Sequence, residues 1–91
     1  MTRQTEAQVG VWVLYILECS DGTFYTGITN NMQRRLDQHN AGRAARYTRG
    51  RRPVILRYRE HCGGRSQALV REAAVKRLAR TDKQRLMNLT E

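Results

Sequence analysis

The sequence predicts an α+β domain: a small three-stranded antiparallel β-sheet flanked by helices, in the order β-β-α-β-α-α. Three observations predict it. Two apolar segments, 11–19 and 23–28, follow one another across a short polar link, as the strands of a hairpin do. A third segment, 54–62, alternates with a period of two. Between and beyond the strands, the apolar spacing changes to that of helices. At 91 residues the chain is expected to form a single domain, residues 9–91, behind a flexible N-terminal tail, residues 1–8, that shows neither period.

The elements can be justified in order. "VWVLYILEC", 11–19, is apolar on both alternating faces, the pattern of a central strand covered on both sides. "TFYTGI", 23–28, returns after Gly22 as its antiparallel neighbour. The first helix is predicted over residues 31–40, with Asn30 as N-cap, Gln33 at the reciprocal position and Gly42 as the stop. "AGRAARYTRGRRP", 41–53, carries five arginines, two glycines and a proline around Tyr47, so it reads as a loop from which no core can be built. In the third strand Val54, Leu56 and Tyr58 fall on one face and Ile55, Arg57 and Arg59 on the other. A long helix is predicted from Ser66 to Arg80, and Thr81 with Gln84 forms a capping box for a short terminal helix.

Charge bounds the partners. There are 17 Lys+Arg against 8 Asp+Glu, a formal net charge of +9, and fifteen of the cations are arginine, whose planar fork suits phosphate oxygens. Because the basic residues are spread over loops and helices, nucleic acid is favoured over a membrane surface. Cys19 and Cys62 have no CxxC spacing and no companion pair to complete a zinc site, so both read as reduced thiols. The apolar run Val11–Leu17 is too short to span a membrane and lacks signal-peptide flanks, which predicts a cytoplasmic location.

Two helical stripes contain groups that a buried face should exclude. On the first helix Met32, Arg35, Leu36 and His39 lie at i, i+3, i+4 and i+7. On the second, Glu72 is the one acidic residue among Ala68, Val75 and Ala79. Burying a lone carboxylate costs several kcal/mol unless a cation or metal sits against it. The alternative is an exposed i, i+4 pair with Lys76, worth about 0.3–0.5 kcal/mol.

The hairpin leaves a second choice open. A two-residue Asp21-Gly22 loop sets Tyr15 opposite Ile28 and sends Tyr15 and Tyr25 to opposite faces. A three-residue Ser20-Asp21-Gly22 loop, with Gly22 left-handed, sets Tyr15 opposite Gly27 and puts both phenols on one face. Gly27 would then leave space over Tyr15.

"VLY" at 13–15, "YTG" at 25–27, "RRLDQHN" on a helix and a later helical "REAAVKRL" together resemble the GIY-YIG nuclease superfamily. The likeness is greatest to its small stand-alone bacterial YhbQ-like, or UPF0213, group, and it covers residues 11–82. It departs from the family pattern in reading Val-Leu-Tyr for Gly-Ile-Tyr and in having Thr26 where isoleucine is named. The resemblance implies metal-dependent endonucleolytic cleavage of DNA with weak or shape-based sequence preference, in repair or recombination. RNA is the other polyanion to weigh. The alternative activities are a nuclease-inactive nucleic-acid-binding module and an adaptor targeted by a protein partner.

Position by position, the resemblance makes Tyr15, Tyr25, Arg35, His39 and Glu72 the catalytic set. Glu72 would hold one Mg²⁺ or Mn²⁺ ion and Arg35 would brace the phosphate. Tyr15 would act as general base, provided that cationic charge lowers a phenol pKa of ~10. Tyr25 would position water or phosphate, and His39 would orient a tyrosine or relay its proton. A late active-site asparagine has only Asn88 as a candidate. Arg34, Arg43, Arg46, Arg49, Arg51 and Arg52, with Tyr47 able to stack on a base, form the expected nucleic-acid-binding surface. No acidic residue lies between Arg43 and Arg59 to pair with them.

Overall fold

"WVLYILE" forms the middle of the sheet because both its faces are apolar and both are covered. The computed structural model describes residues 11–88; the predicted tail, residues 1–8, lies outside the described residues, as do residues 89–91. Strands β1 (Trp12–Glu18), β2 (Phe24–Thr29) and β3 (Ile55–Gly63) form one antiparallel sheet in the order β2-β1-β3. Helix α1 (Met32–Asn40) and a single turn, α2 (Arg46–Arg49), lie between β2 and β3. Helices α3 (Arg65–Lys76) and α4 (Arg80–Asn88) follow β3.

Alternation along β1 builds two cores. Val13, Tyr15 and Leu17 pack with Cys19, Met32 and Val54, and with the partly buried Leu36 of α1. Leu14 and Ile16 pack on the opposite face with Tyr58, Val75 of α3 and Met87 of α4. Leu14, Ile16 and Leu17 are wholly shielded from solvent, each burial contributing about 1.5–3 kcal/mol. Both cysteines are free thiols, as expected.

Four local expectations are corrected. Helix α1 is capped one residue later than predicted: the Asn31 side chain accepts from the Arg34 amide at 3.1 Å, and Gln33 donates to Asp37 instead of closing a capping box. The predicted face of β3 is broken by a bulge between the pairs Ile16–Tyr58 and Leu17–Leu56, which sends Leu56 to the α1 side and Tyr58 to the α3 side. The long helix stops at Lys76, its last turn tightened by bonds from the Arg77 and Leu78 amides to Ala74 and Val75, so that Leu78 turns back onto the core. Ala79 is therefore outside the helix and exposed, and Thr81 lies inside α4.

The arginine-rich loop also contributes to the core. Thr48 in α2 is fully buried and Val54 nearly so, with Asn40 pinning Val54 through bonds to both its amide and its carbonyl. Arg51 pairs with Asp21 of the hairpin loop at 3.0 Å, a partner distant in sequence. Arg52 donates to the carbonyls of Arg49 and Asn40.

Candidate active site

Of the two possible hairpin loops the chain adopts the three-residue one. Gly22 has φ +84°, a left-handed conformation that glycine adopts without strain, and Cys19 closes the loop onto Thr23. The register is Tyr15 opposite Gly27 and Leu17 opposite Tyr25, so both phenols share the face under α1 with ring centroids 6.5 Å apart. Gly27 is required here. A Cβ at that position would lie 2.5 Å from the Tyr15 hydroxyl oxygen and 2.7 Å from its Cζ.

His39 reaches this face from the last turn of α1 and is 1% exposed. Its Nε2 lies 2.9 Å from the Tyr15 hydroxyl and its Nδ1 lies 2.8 Å from Thr48 Oγ1. Thr48 spends its single hydroxyl proton on the Ala45 carbonyl at 3.2 Å. It must therefore accept from His39, which puts the imidazole proton on Nδ1 and leaves Nε2 to accept from Tyr15. Burial and then the Arg35 charge push the imidazole pKa down to about 4, so the ring is neutral at physiological pH.

Tyr15 responds in the opposite direction. Burial pushes its phenol well above the ordinary tyrosine range; Tyr25 adds to the rise, Arg35 pulls against it, and Glu72 raises it again. The expected lowering of Tyr15 by nearby cationic charge is therefore absent in the protein alone, because desolvation outweighs Arg35.

Arg35 and Glu72 approach from different helices, and both act electrostatically on Tyr15. Arg35 has no ion pair with a carboxylate among the described residues. It opens onto a small groove of about 210 Å³ with Thr29, Asn31 and Arg34. The Glu72 side chain is 19% exposed, and its carboxylate meets Lys76 at 3.3 Å. The i, i+4 pair thus forms, but on a side chain that is only partly exposed. Among the described residues no three His, Cys, Asp or Glu converge as a metal cage. One carboxylate beside phenols does not suit zinc, yet it fits a hard cation that keeps several waters and takes its other ligands from phosphate.

The other predicted residues are distributed around this centre. Tyr47 stacks on Tyr25 with centroids 6.0 Å apart, and the Arg51 guanidinium lies 3.9 Å from its ring centre, so both contacts occupy the ring expected to stack on a base. Arg34, Arg43, Arg46 and Arg49 are exposed, whereas Arg51 and Arg52 hold the loop together. Asn88 lines a groove with Glu18 and Arg57, apart from the tyrosines. Sequence reasoning missed Thr48, whose only signal was a hydroxyl among arginines.

Comparison with known proteins bears on the family and the fold. The model of the GIY-YIG catalytic domain matches residues 11–86. A UPF0213 protein of Desulfotalea psychrophila is 49% identical over 90 residues, covering 98% of this chain and 82% of that one. Another, from Halobacterium salinarum, is 52% identical over 73 residues, covering 80% and 95%. The solution structure of the UPF0213 protein BH0048 from Bacillus halodurans is similar with a TM-score of 0.57 at 40% identity, over 87% of this chain and 84% of that one. The solution structure of EF2693 from E. faecalis gives 0.61 at 40% identity, over 88% and 85%.

Proposed function

Because the chain belongs to the GIY-YIG catalytic-domain family, we propose that it is a divalent-metal-dependent endonuclease cleaving DNA phosphodiester bonds with weak sequence preference. The observation that carries this reading is the Tyr15–His39–Thr48 chain of hydrogen bonds, with Tyr25 against it and the charges of Arg35 and Glu72 bearing on Tyr15. Branched or damaged DNA met in repair or recombination suits a surface whose exposed arginines track phosphates and that, among the described residues, leaves no helix for reading base edges. Among the described residues no helix is long and apolar enough to cross a membrane.

The roles follow from chemistry. Phosphodiester hydrolysis needs a deprotonated water, countercharge for the transition state and a stabilised leaving oxygen. Arg35 is permanently charged and free of a described carboxylate, so it is available to a phosphate oxygen. A free phenolate at Tyr15 is costly in so buried a position. Tyr15 therefore keeps its proton, donating it in a hydrogen bond to His39 Nε2 while its oxygen lone pair accepts from the attacking water, and Thr48 fixes the neutral tautomer that holds the phenol in this orientation. Tyr25 confines the water and the phosphate against Tyr15. A Mg²⁺ or Mn²⁺ ion, when bound, supplies countercharge to the phosphate oxygens, and Glu72 is the carboxylate that would hold it.

The test is incubation with plasmid, single-stranded and branched DNA in the presence of either metal. Cutting is expected, and its loss in Arg35→Ala and Glu72→Ala; cutting that survives both equally would sink the mechanism. The Glu72–Lys76 pair favours one second reading, a binding module in which the carboxylate stays neutralised. Binding that persists with no cutting in either metal would select it.

A further inference from the structure

The chain has only two lysines, and both line the same cleft. Lys76 comes from α3 and Lys83 from α4, while Phe24, Tyr25 and Thr26 of β2 and Tyr47 of α2 complete the walls of a space of about 250 Å³. No carboxylate is among these lining residues. Thr26 is 4% exposed, and its hydroxyl is shielded from solvent without a hydrogen-bond partner among the described residues. A buried hydroxyl left unpaired carries an uncompensated desolvation cost, and such groups in native proteins call for an explanation. β2 is an edge strand, and ladder alternation from the Cys19–Thr23 closing pair turns the Thr26 backbone N–H outward along that edge. Two lysines and the outward-facing Thr26 amide thus border one small space, with the unpaired Thr26 hydroxyl shielded beneath it.

We propose that this cleft is a second phosphate subsite, taking the backbone phosphate next to the one held beside Tyr15, Arg35 and Glu72. The proposal rests on reading that centre as a phosphodiester site. Lysine suits the task as a point charge that needs no fixed geometry. The volume is below the roughly 300–1,000 Å³ of clefts that enclose a drug-sized ligand, so it suits one phosphate with part of its sugar. Two residues join the sites. Tyr25 lines the cleft and lies 5.3 Å from His39 between ring centroids, and Lys76 reaches from the cleft to the Glu72 carboxylate at 3.3 Å. A phosphate in the cleft draws Lys76 away from Glu72 and so frees that carboxylate for a cation.

The experiment uses the full chain in EDTA, where no cleavage occurs, titrated with thymidine 3′,5′-bisphosphate or thymidine 5′-monophosphate and followed by NMR. With two lysines, the side-chain ammonium region is readily assigned. The bisphosphate is expected to bind about tenfold more tightly than the monophosphate, moving both lysine signals and the Thr26 amide, as one added charge-assisted phosphate contact predicts. Lys83→Gln, its fold checked by thermal melting, should reduce that advantage to below about threefold. A bisphosphate that binds no more tightly, lysine signals that stay still, or an advantage that survives Lys83→Gln would overturn the subsite. Absence of DNA cutting with the bisphosphate advantage intact would instead count against the catalytic reading alone, so the two failures are distinguishable.

Discussion

Tyr15 and Tyr58 are buried on opposite faces of the same sheet, at 2% and 8% exposure, and each donates its hydroxyl proton to a nearby side chain. Their surroundings differ. Tyr58 donates to Glu60, whose two carboxylate oxygens also accept from Arg71 at 2.6 and 3.3 Å. Burial opposes ionisation of Glu60, yet the bonds from Arg71 and Tyr58 hold its pKa below the ordinary range. The Tyr58 phenol is itself pushed up to about 12 by burial and by its bond to Glu60. Here charge meets charge and the network closes on itself. Tyr15 donates to a neutral imidazole, and the charges bearing on it, Arg35 and Glu72, are not paired with each other. A closed network pins β3 to α3; an open one is left with capacity for a ligand.

The largest expected effect breaks the open network at its charge. Arg35→Ala should lower DNA cleavage by about 10²–10³-fold, the scale of losing one preorganised electrostatic donor, while leaving the melting temperature near that of the parent. Parallel cleavage rates and thermal melts check this, and a large drop in melting temperature would make Arg35 structural. Next is acidity. His39 has a folded pKa of about 4 against an ordinary 6.5, so the unfolded chain takes up its proton first as pH falls. Stability from keeping His39 neutral is complete above 6.5 and is lost between 6.5 and 4, on the order of 3 kcal/mol. Asp21 and Glu60, whose pKa values are lowered, lose their contributions only below the ordinary carboxylate range. Denaturant midpoints across this range should therefore slope in the parent and flatten between 6.5 and 4 in His39→Gln.

The difference between the two faces was partly legible in the sequence. Period-two and helical spacing place the strands and α1, and the stripe Met32, Arg35, Leu36, His39 marks a helix face that does more than pack. The choice of hairpin loop was not legible, since both loops use the same residues and both admit a left-handed Gly22; the pairing of Tyr15 with Gly27 is what distinguishes them. The bulge that moves Tyr58 away from Leu56 is set by pairing with β1, which local alternation cannot register. Thr48 was hidden for a related reason. Its burial depends on α2 folding back to His39, and its arginine neighbours conceal it. Asp21 as the partner of Arg51 lies thirty positions away and was missed by a search confined to the loop.

A steric change can separate position from charge within the open network. Gly27→Ala introduces a Cβ that would lie 2.5 Å from the Tyr15 hydroxyl oxygen, so the phenol must move off His39 Nε2. Overpacking of this kind costs about 1–3 kcal/mol. Cleavage should fall by more than that loss of stability explains. The diagnostic is the His39 ring nitrogen signals by NMR, which should report loss of the Nε2 bond while Nδ1 remains on Thr48. Unchanged ring signals would mean that Tyr15 can be repositioned without leaving the imidazole.

The smallest expected effect is in the closed network, and it bears most directly on the contrast. Arg71→Ala leaves Glu60, 24% exposed at its side chain, with Tyr58 as its remaining hydrogen-bonding side chain apart from the weak contact of Cys62. The Arg71 side chain is itself 41% exposed, so the loss lies between that of a surface pair and a buried one, about 1–2 kcal/mol at neutral pH. In the parent, the lowered Glu60 pKa gives stability that is present above the ordinary carboxylate value and lost as pH falls through the folded one. Without Arg71, two of the causes that lower the Glu60 pKa are gone and burial still opposes its charge, so the folded pKa rises and the variant should recover stability relative to the parent as Glu60 protonates. Cleavage at temperatures where the variant is folded should match the parent, because no part of this network touches Tyr15. A variant that folds but does not cut would mean that the two faces are coupled through the sheet, and the distinction between closed and open networks would fail.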